Sequence, residues 1–142
     1  MKTAAFQGYY SNLEKIAEYV QQSAQGTGLD GYSLYAIESA VDEACSNIID
    51  HAYGGEGIGA IQCTCLKDEN KITIILQDQG RPFDPTKICG PDLSTPLEDR
   101  QNHGFGLYFM KHFMDEIHFE FTADSGNILK MIKYIQPLDI VE

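Results

Sequence analysis

Apolar residues recur at helical spacing in two stretches of the first half of the chain. In residues 11–24 they follow the i, i+3, i+4, i+7 pattern of an amphipathic helix, which the capping box Ser11-Asn12-Leu13-Glu14 opens and Gly26 closes. In residues 32–52 the same spacing predicts a second helix, which the pair Gly54-Gly55 ends. Two helices are therefore expected before any long strand.

After the second helix the pattern changes to a period of two, which is typical of β-strands. Residues 58–67 and 71–78 alternate in this way, and the polar run Asp68-Glu69-Asn70 between them predicts a hairpin turn. The alternation that sends Ile74 and Leu76 to one face of the second strand sends Asp78 to that face too. An acid is thus expected at the rim of the core.

Residues 84–103 show neither period and contain three prolines and Gly90. Loops of this length are uncommon in compact domains unless they are lids, binding loops or disordered segments, and we expect a lid. The elements that follow are a third helix and two strands, over residues 105–115, 116–123 and 127–135.

This order of elements predicts an α+β fold. Hairpins prevail, so the sheet should be mixed but largely antiparallel, with about three helices covering one face in a two-layer sandwich. A further strand at residues 3–7 is left open. The 142 residues suit a single domain, residues 1–142, large enough to bury its own core.

Composition narrows the classes of partner. The formal net charge of −11 disfavours nucleic acid and anionic membranes, so protein partners are expected. No apolar run reaches signal-peptide length at the start, or the roughly 20 residues of a membrane helix anywhere, and we expect a cytoplasmic protein. The cysteines lack a C-x-x-C spacing and are read as reduced thiols: Cys45, Cys63, Cys65 and Cys89.

Glu43, Asn47 and His51 lie four residues apart, on one stripe at the flank of the second helix. The Asn side chain offers a neutral oxygen that suits magnesium, which usually keeps several waters and binds phosphates as well. The Glu carboxylate can act as a general base beside a terminal phosphate. A solvated acid and a hydrogen-bonded Asn on a helix flank are the plain alternative.

Asp78 and Gly80 form a second candidate site at the end of the strand. The carboxylate can accept a hydrogen bond from an exocyclic amine such as that of adenine, and Gly80 leaves the base unobstructed. An ordinary turn remains open as the other reading.

Gly104 and Gly106 at the start of the third helix form a third candidate site. Paired glycines permit close backbone approach, and the free amides at a helix N-terminus favour a phosphate. A plain glycine-rich helix entry is the alternative.

Together these segments resemble the three motifs of the GHKL ATPase superfamily. Residues 41–53 resemble its N box, residues 78–85 its G1 box and residues 103–107 its G2 box. The form Glu-Ala-x-x-Asn-x-x-x-His-Ala-Tyr and the ending Met114-Asp115-Glu116 are most similar to the bacterial anti-sigma-factor serine/threonine kinases. The likeness runs from the first helix to the last strand.

The resemblance implies a Bergerat ATP-binding fold with ATP and Mg²⁺ as cofactors, and an ATP lid at about residues 84–103. It also implies that Glu43 is the catalytic base, that Asn47 binds the metal and that Asp78 reads adenine. The remaining residues that the resemblance places around the nucleotide are Gly80, Gly104, Phe105, Gly106 and Leu107.

The resemblance favours a kinase that phosphorylates a Ser or Thr on an anti-sigma-factor antagonist, with a sigma factor as a second possible partner and a homodimer as a possible assembly. An added phosphate brings roughly −1.5 to −2 charges, enough to break a complementary interface. The alternative is an ATP-dependent anti-sigma or adaptor module that sequesters its partner without kinase activity. A nucleotide-free interaction domain would leave the glycines and Asp78 without a shared purpose.

Overall fold

The computed structural model describes residues 2–83 and 106–135, with side chains for 3–83 and 110–135. These residues form one antiparallel sheet in the order β1-β2-β3-β5-β4. The strands are β1 Lys2–Gln7, β2 Ala60–Lys67, β3 Lys71–Asp78, β4 Glu116–Thr122 and β5 Gly126–Tyr134. The strand that the sequence left open at residues 3–7 is therefore β1, which pairs with β2.

The helices are α1 Leu13–Ser23, α2 Gly31–Asn47 and α3 Gly106–Phe113. A 3₁₀ turn, Tyr10–Asn12, precedes α1, and a π-helical segment, Ile48–Tyr53, follows α2. The α+β fold class is confirmed, and every strand pairing in the described part of the chain is antiparallel.

The predicted capping box at the start of the first helix is wrong. Ser11 belongs to the 3₁₀ turn, and α1 begins after Asn12, whose side chain makes no capping hydrogen bond. Asn12 Nδ2 instead donates to the Gln7 carbonyl at 2.8 Å, which ties the helix entry to the end of β1. At α2 the cap is Asp30, which accepts a hydrogen bond from the Ser33 amide at 2.7 Å.

The second helix does not run as one α-helix to residue 52, as the spacing predicted. From Ile48 the turns widen to π-helical, and the segment ends at Gly54, whose φ of 77° is left-handed. The i, i+4, i+8 stripe therefore holds for Glu43 and Asn47, but the wider turns change the direction of His51. π-Helical turns inside helices often occur at functional sites.

The core lies between the sheet and the helices. As the alternation predicted, Ile72, Ile74 and Leu76 are fully buried on the face that meets the helices, and Asp78 at the end of the strand is 2% exposed. Cys45, Cys63 and Cys65 are buried within this core, whereas Cys89 lies outside the described residues. The sheet thus carries its acid to the edge of the apolar layer.

Candidate functional site

Asp78 lies where β3 ends, and two donors fix its carboxylate. Its Oδ1 accepts hydrogen bonds from the Gly80 amide at 2.9 Å and from Asn127 Nδ2 at 2.8 Å. Burial raises the pKa of Asp78, and these two hydrogen bonds oppose that rise. The result is a buried acceptor held in one orientation.

Gly80 allows the chain after β3 to pass directly against the π-helical segment. A Cβ at this position would lie 2.5 Å from the Ala52 carbonyl oxygen, so the close approach requires glycine. Two hydrogen bonds hold this turn against the π-helical segment. The Arg81 amide donates to the Ala52 carbonyl at 2.9 Å, and Arg81 Nε donates to the His51 carbonyl at 2.8 Å. Backbone from the π-helical segment thus occupies the space that the side chain would need.

Asn47 and Asp78 line one cavity between α2, α3 and the sheet, here called the base cavity. Its other lining residues are Ala44, Ile48, Phe83, Met110, Phe119, Asn127 and Leu129. Asn47 is 3% exposed, and its Nδ2 atom has no hydrogen-bond partner among the described residues. A buried amide without a partner is a feature that a bound ligand would satisfy.

Aromatic rings make the base cavity narrow. The Phe83 ring lies between His51 and Phe119, with ring centroids 5.9 Å and 5.6 Å away. The space between atoms measures about 320 Å³ when the open solvent at its mouth is included, but the centre of a water molecule can occupy only about 10 Å³ of it. Since a single water needs roughly 10–15 Å³ on that measure, a larger ligand requires these side chains to move apart.

Glu43 lies one turn before Asn47 on α2, in a separate groove that we call the acid groove. Its other lining residues are Tyr35, Ser39, Asp42 and Phe113, and the rings of Tyr35 and Phe113 meet edge to face at 6.0 Å. Partial burial raises the pKa of Glu43, and the charge of Asp42 raises it further. A raised pKa makes the carboxylate a stronger base.

The predicted glycine-rich helix entry is only partly within the described residues. α3 begins at Gly106 and includes Leu107, in agreement with the predicted helix start. Gly104, Phe105 and the predicted lid at residues 84–103 lie outside the described residues. Further along α3, Met110 is 2% exposed and lines the base cavity.

The donor set of the base cavity fits a magnesium ion only in part. The described residues contain no cluster of three His, Cys, Asp or Glu side chains able to hold a metal alone. Asn47, with an amide oxygen as a hard ligand, matches the usual mode in which Mg²⁺ takes one or two protein ligands and obtains the others from phosphates and water.

Among the residues that line the base cavity, sequence reasoning did not single out Phe83, Met110, Phe119, Asn127 and Leu129. A signal for Asn127 was present in the sequence. Asn127 follows the turn before the last strand, and Asp78 ends an earlier strand, so antiparallel pairing of the two strands brings them opposite each other, as β3 and β5 do.

Solved structures with the same fold are catalytic domains of histidine kinases. Two nucleotide-free forms of the catalytic domain of histidine kinase ThkA match with TM-scores of 0.56 and 0.55 at 14% and 15% identity. They cover 96% and 94% of this chain and 100% and 96% of the matched chains. At this level of identity the likeness shows the fold alone.

The chain belongs to the histidine kinase-like ATPase domain family, whose model matches residues 6–133. Among its relatives is the serine-protein kinase RsbW of Halalkalibacterium halodurans, 37% identical over 113 residues, which are 75% of this chain and 67% of the relative. The serine-protein kinase RsbW of Bacillus thuringiensis is 39% identical over 113 residues, 75% of this chain and 69% of its own. The resemblance seen in the three motifs is confirmed.

Within the part of the chain that the structure describes, no helix has the length and apolar character needed to cross a membrane.

Proposed function

We propose that this chain is an ATP-dependent serine/threonine protein kinase that phosphorylates a regulatory protein, specifically an anti-sigma-factor antagonist, in the cytoplasm. The observation that carries the proposal is the arrangement on α2: Asn47 faces the base cavity beside Asp78, and Glu43 lies in a groove one turn away. A nucleotide held by the first pair would extend its phosphates along α2 toward a base.

ATP is the nucleotide that the base cavity suits. The fixed Asp78 carboxylate can accept a hydrogen bond from the adenine amino group, and the aromatic side chains Phe83 and Phe119 line the same cavity. The start of α3 supplies backbone amides for the phosphates, with Gly104, Phe105, Gly106 and Leu107 as the proposed phosphate-binding segment. Gly80 keeps the turn beside the base in place.

Magnesium is the proposed metal, and Asn47 its proposed protein ligand. When bound, the ion neutralises charge that develops on the phosphates during transfer. Asn47, which lines the base cavity, would offer the ion a neutral amide oxygen and so add no negative charge beside the phosphates.

Glu43 is the proposed general base. The acceptor hydroxyl oxygen forms a bond to the terminal phosphorus, the bond from phosphorus to the bridging oxygen breaks, and ADP leaves with that oxygen. The hydroxyl proton passes to the Glu43 carboxylate. Its raised pKa and half-open position suit this role, because an incoming hydroxyl can reach the carboxylate through the acid groove.

The relatives named serine-protein kinase support the enzyme over the alternative module that binds ATP and sequesters a partner. The presence of Glu43 in the acid groove also supports the enzyme, because a module that only sequesters its partner needs no base. A sigma factor as a second binding partner and association of two copies remain predictions from the resemblance.

The test is transfer of phosphate to a protein. The full chain would be incubated with magnesium ATP and single-domain antagonist proteins, and phosphoserine or phosphothreonine sought by mass spectrometry. A matched antagonist with its acceptor hydroxyl residue changed to Ala should remain unmodified. ATP-dependent complex formation without any transfer to the intact antagonist would favour the sequestering module.

A further inference from the structure

A second groove, here called the arginine groove, lies beside the turn that follows β3, and the roles proposed above assign it no ligand. The centre of a water molecule can occupy about 410 Å³ of it, against about 10 Å³ of the base cavity. Ligand pockets commonly measure about 300–1,000 Å³, so a ligand can enter this groove without displacing side chains. Its lining includes Tyr53, Ile58, Gln62, Gln77, Gln79 and Arg81.

Arg81 supplies the positive charge of the arginine groove, and hydrogen bonds fix its position. Its amide donates to the Ala52 carbonyl at 2.9 Å, its Nε donates to the His51 carbonyl at 2.8 Å, and its own carbonyl accepts from Asn127 Nδ2 at 3.0 Å. The two Nη atoms form no hydrogen bond or ion pair with the residues that the structure describes. A guanidinium held through Nε still presents its Nη pair, which matches the two oxygens of a carboxylate.

The charge of the arginine groove is opposite in sign to that of the whole chain. Among the described residues that line it, Arg81 is the only Lys or Arg and Asp78 the only Asp or Glu. Asp78 is 2% exposed and its Oδ1 is bonded to Gly80 and Asn127, whereas Arg81 is exposed. The groove therefore presents a cation to solvent on a chain of net charge −11, and charge complementarity favours an acidic ligand.

The polar walls of the groove are held in place and offer acceptors. The Tyr53 hydroxyl donates to the Ala60 carbonyl at 2.5 Å and accepts from the Gln79 amide at 3.0 Å. Gln77 Nε2 and Gln79 Nε2 donate to the Ser125 carbonyl, at 2.6 Å and 3.1 Å. The amide oxygens of these two glutamines form no hydrogen bond with described residues, so they remain free to accept N–H donors from a ligand.

An apolar side chain completes the groove. Ile58 is 62% exposed although it lies among the lining residues. The site thus offers a fork for a carboxylate, acceptors for N–H groups and a surface for an apolar side chain. A peptide that contains acidic and apolar residues carries all three of the matching groups, whereas a free inorganic anion carries only the first.

We propose that the arginine groove binds an acidic peptide segment of a protein partner, with an Asp or Glu carboxylate on the Arg81 Nη atoms. Peptide N–H groups donate to the amide oxygens of Gln77 and Gln79, and an apolar side chain packs on Ile58. This site is separate from the acid groove, and neither ATP nor Glu43 takes part in the binding. It therefore goes beyond the proposed function and does not depend on it.

Nuclear magnetic resonance on the nitrogen-15-labelled full chain can test the site directly, because the Arg Nε–H group and the Gln side-chain amides give signals of their own. The probe is an acetylated and amidated hexapeptide in which Glu alternates with Leu. It should shift the signals of Arg81, Gln77 and Gln79 in a saturable way. The analogue with Gln in place of Glu should bind about tenfold more weakly or worse, the scale of one charge-assisted hydrogen bond.

Arg81→Leu removes the fork and should lower the affinity for the acidic peptide by about tenfold or more. The matched control is Lys130→Leu, which makes the same change in net charge at an exposed position of β5 outside the groove and should leave the affinity within about twofold of wild type. Ile58→Asp decides the question if Arg81→Leu does not fold. Because position 58 is exposed, this variant spares the core, and it should weaken binding of the acidic peptide more than that of its neutral analogue.

Three results would overturn the proposal. The acidic peptide might leave the Arg81 and Gln signals unshifted; Arg81→Leu and Lys130→Leu might weaken binding equally, which would show diffuse attraction to the surface; or inorganic phosphate or acetate might bind as tightly as the peptide, which would show a site for small anions only. Each result leaves the proposed function standing, because phosphate transfer from magnesium ATP is measured separately and uses neither Arg81 nor Ile58.

Discussion

The two ends of the proposed site are built differently. At the Asp78 end the polar groups are buried and bonded to one another, so that a carboxylate, an amide and a turn hold each other in place. At the Glu43 end a half-buried carboxylate lies in an open groove. The first end is preorganised for a small rigid ligand, whereas the second leaves room for a macromolecular one.

The difference separates recognition from chemistry. A base that enters the base cavity would meet an Asp78 carboxylate that is already oriented, once the aromatic side chains that narrow the cavity have moved apart. In the proposed function, the Glu43 carboxylate would accept a hydrogen bond from the substrate hydroxyl, which would enter through the open groove beside Tyr35 and Phe113. Variants at the two ends should therefore fail in different assays.

The largest expected effect is at Glu43. Glu43→Gln keeps the shape of the side chain and removes the base, so transfer to the partner should fall by about 10²–10⁴-fold while ATP affinity stays near that of wild type. Glu38→Gln, on the same helix but outside the acid groove, is the control and should keep its activity. Single-turnover transfer and calorimetry measure the two quantities. Undiminished transfer would exclude Glu43 as the base.

A smaller effect, on binding, is expected at Asp78. Asp78→Asn should weaken ATP binding by roughly 10-fold to 150-fold, because a hydrogen bond to a charged acceptor is lost at a cost of about 1.5–3 kcal/mol. Calorimetry on the purified variant would measure this change. Unchanged affinity in a folded protein would remove Asp78 from the site.

The same variant should not unfold more easily. Burial raises the pKa of Asp78, so the folded protein binds a proton there more readily than the unfolded chain, and ionisation costs stability as pH rises through that raised pKa. Asn at position 78 cannot ionise. At pH 7 its thermal midpoint should equal or exceed that of wild type, and a large drop would show that the charge stabilises the fold.

At Asn47 the expected change is smaller again and depends on metal. Asn47→Ala removes the proposed ligand, so the factor by which magnesium improves ATP binding should shrink, whereas affinity measured with a chelator should change little. The exposed Asn70→Ala serves as the control. ATP binding that responds to magnesium equally in both variants would assign Asn47 a structural role.

Much of this architecture could be predicted from residue patterns because those patterns are local. The period-two alternation in β3 sufficed to bury Ile72, Ile74 and Leu76 and to carry Asp78 to the same face. The three motifs predicted the family, and the match of the histidine kinase-like ATPase domain family over residues 6–133 confirmed it. Sequence spacing could therefore place Glu43 and Asn47 on the helix α2 and Asp78 at the end of the strand β3.

Tertiary packing decided what the spacing could not. The π-helical turns after Asn47 go together with the Gly80 turn, which packs on the Ala52 carbonyl, a contact between residues far apart in the chain. Ser11 lies in a 3₁₀ turn and does not cap the first helix, because the Asn12 side chain donates a hydrogen bond to the end of β1. The sequence did not single out Asn127, because its position opposite Asp78 depends on strand register and not on its neighbours in sequence.

A modest change in pH dependence is expected at the Glu43 end of the site. Partial burial and then the charge of Asp42 raise the pKa of Glu43, and only the ionised carboxylate can accept the hydroxyl proton. Transfer should therefore rise with pH through that pKa. Asp42→Asn removes the like charge but leaves the burial, so the acidic limb of the rate profile should move to lower pH without being abolished.

Single-turnover rates across a pH series would show this, with Glu38→Gln as a charge-matched control that leaves the limb in place. A limb that stayed fixed in Asp42→Asn, or moved to higher pH, would mean that a group other than Glu43 titrates in the reaction.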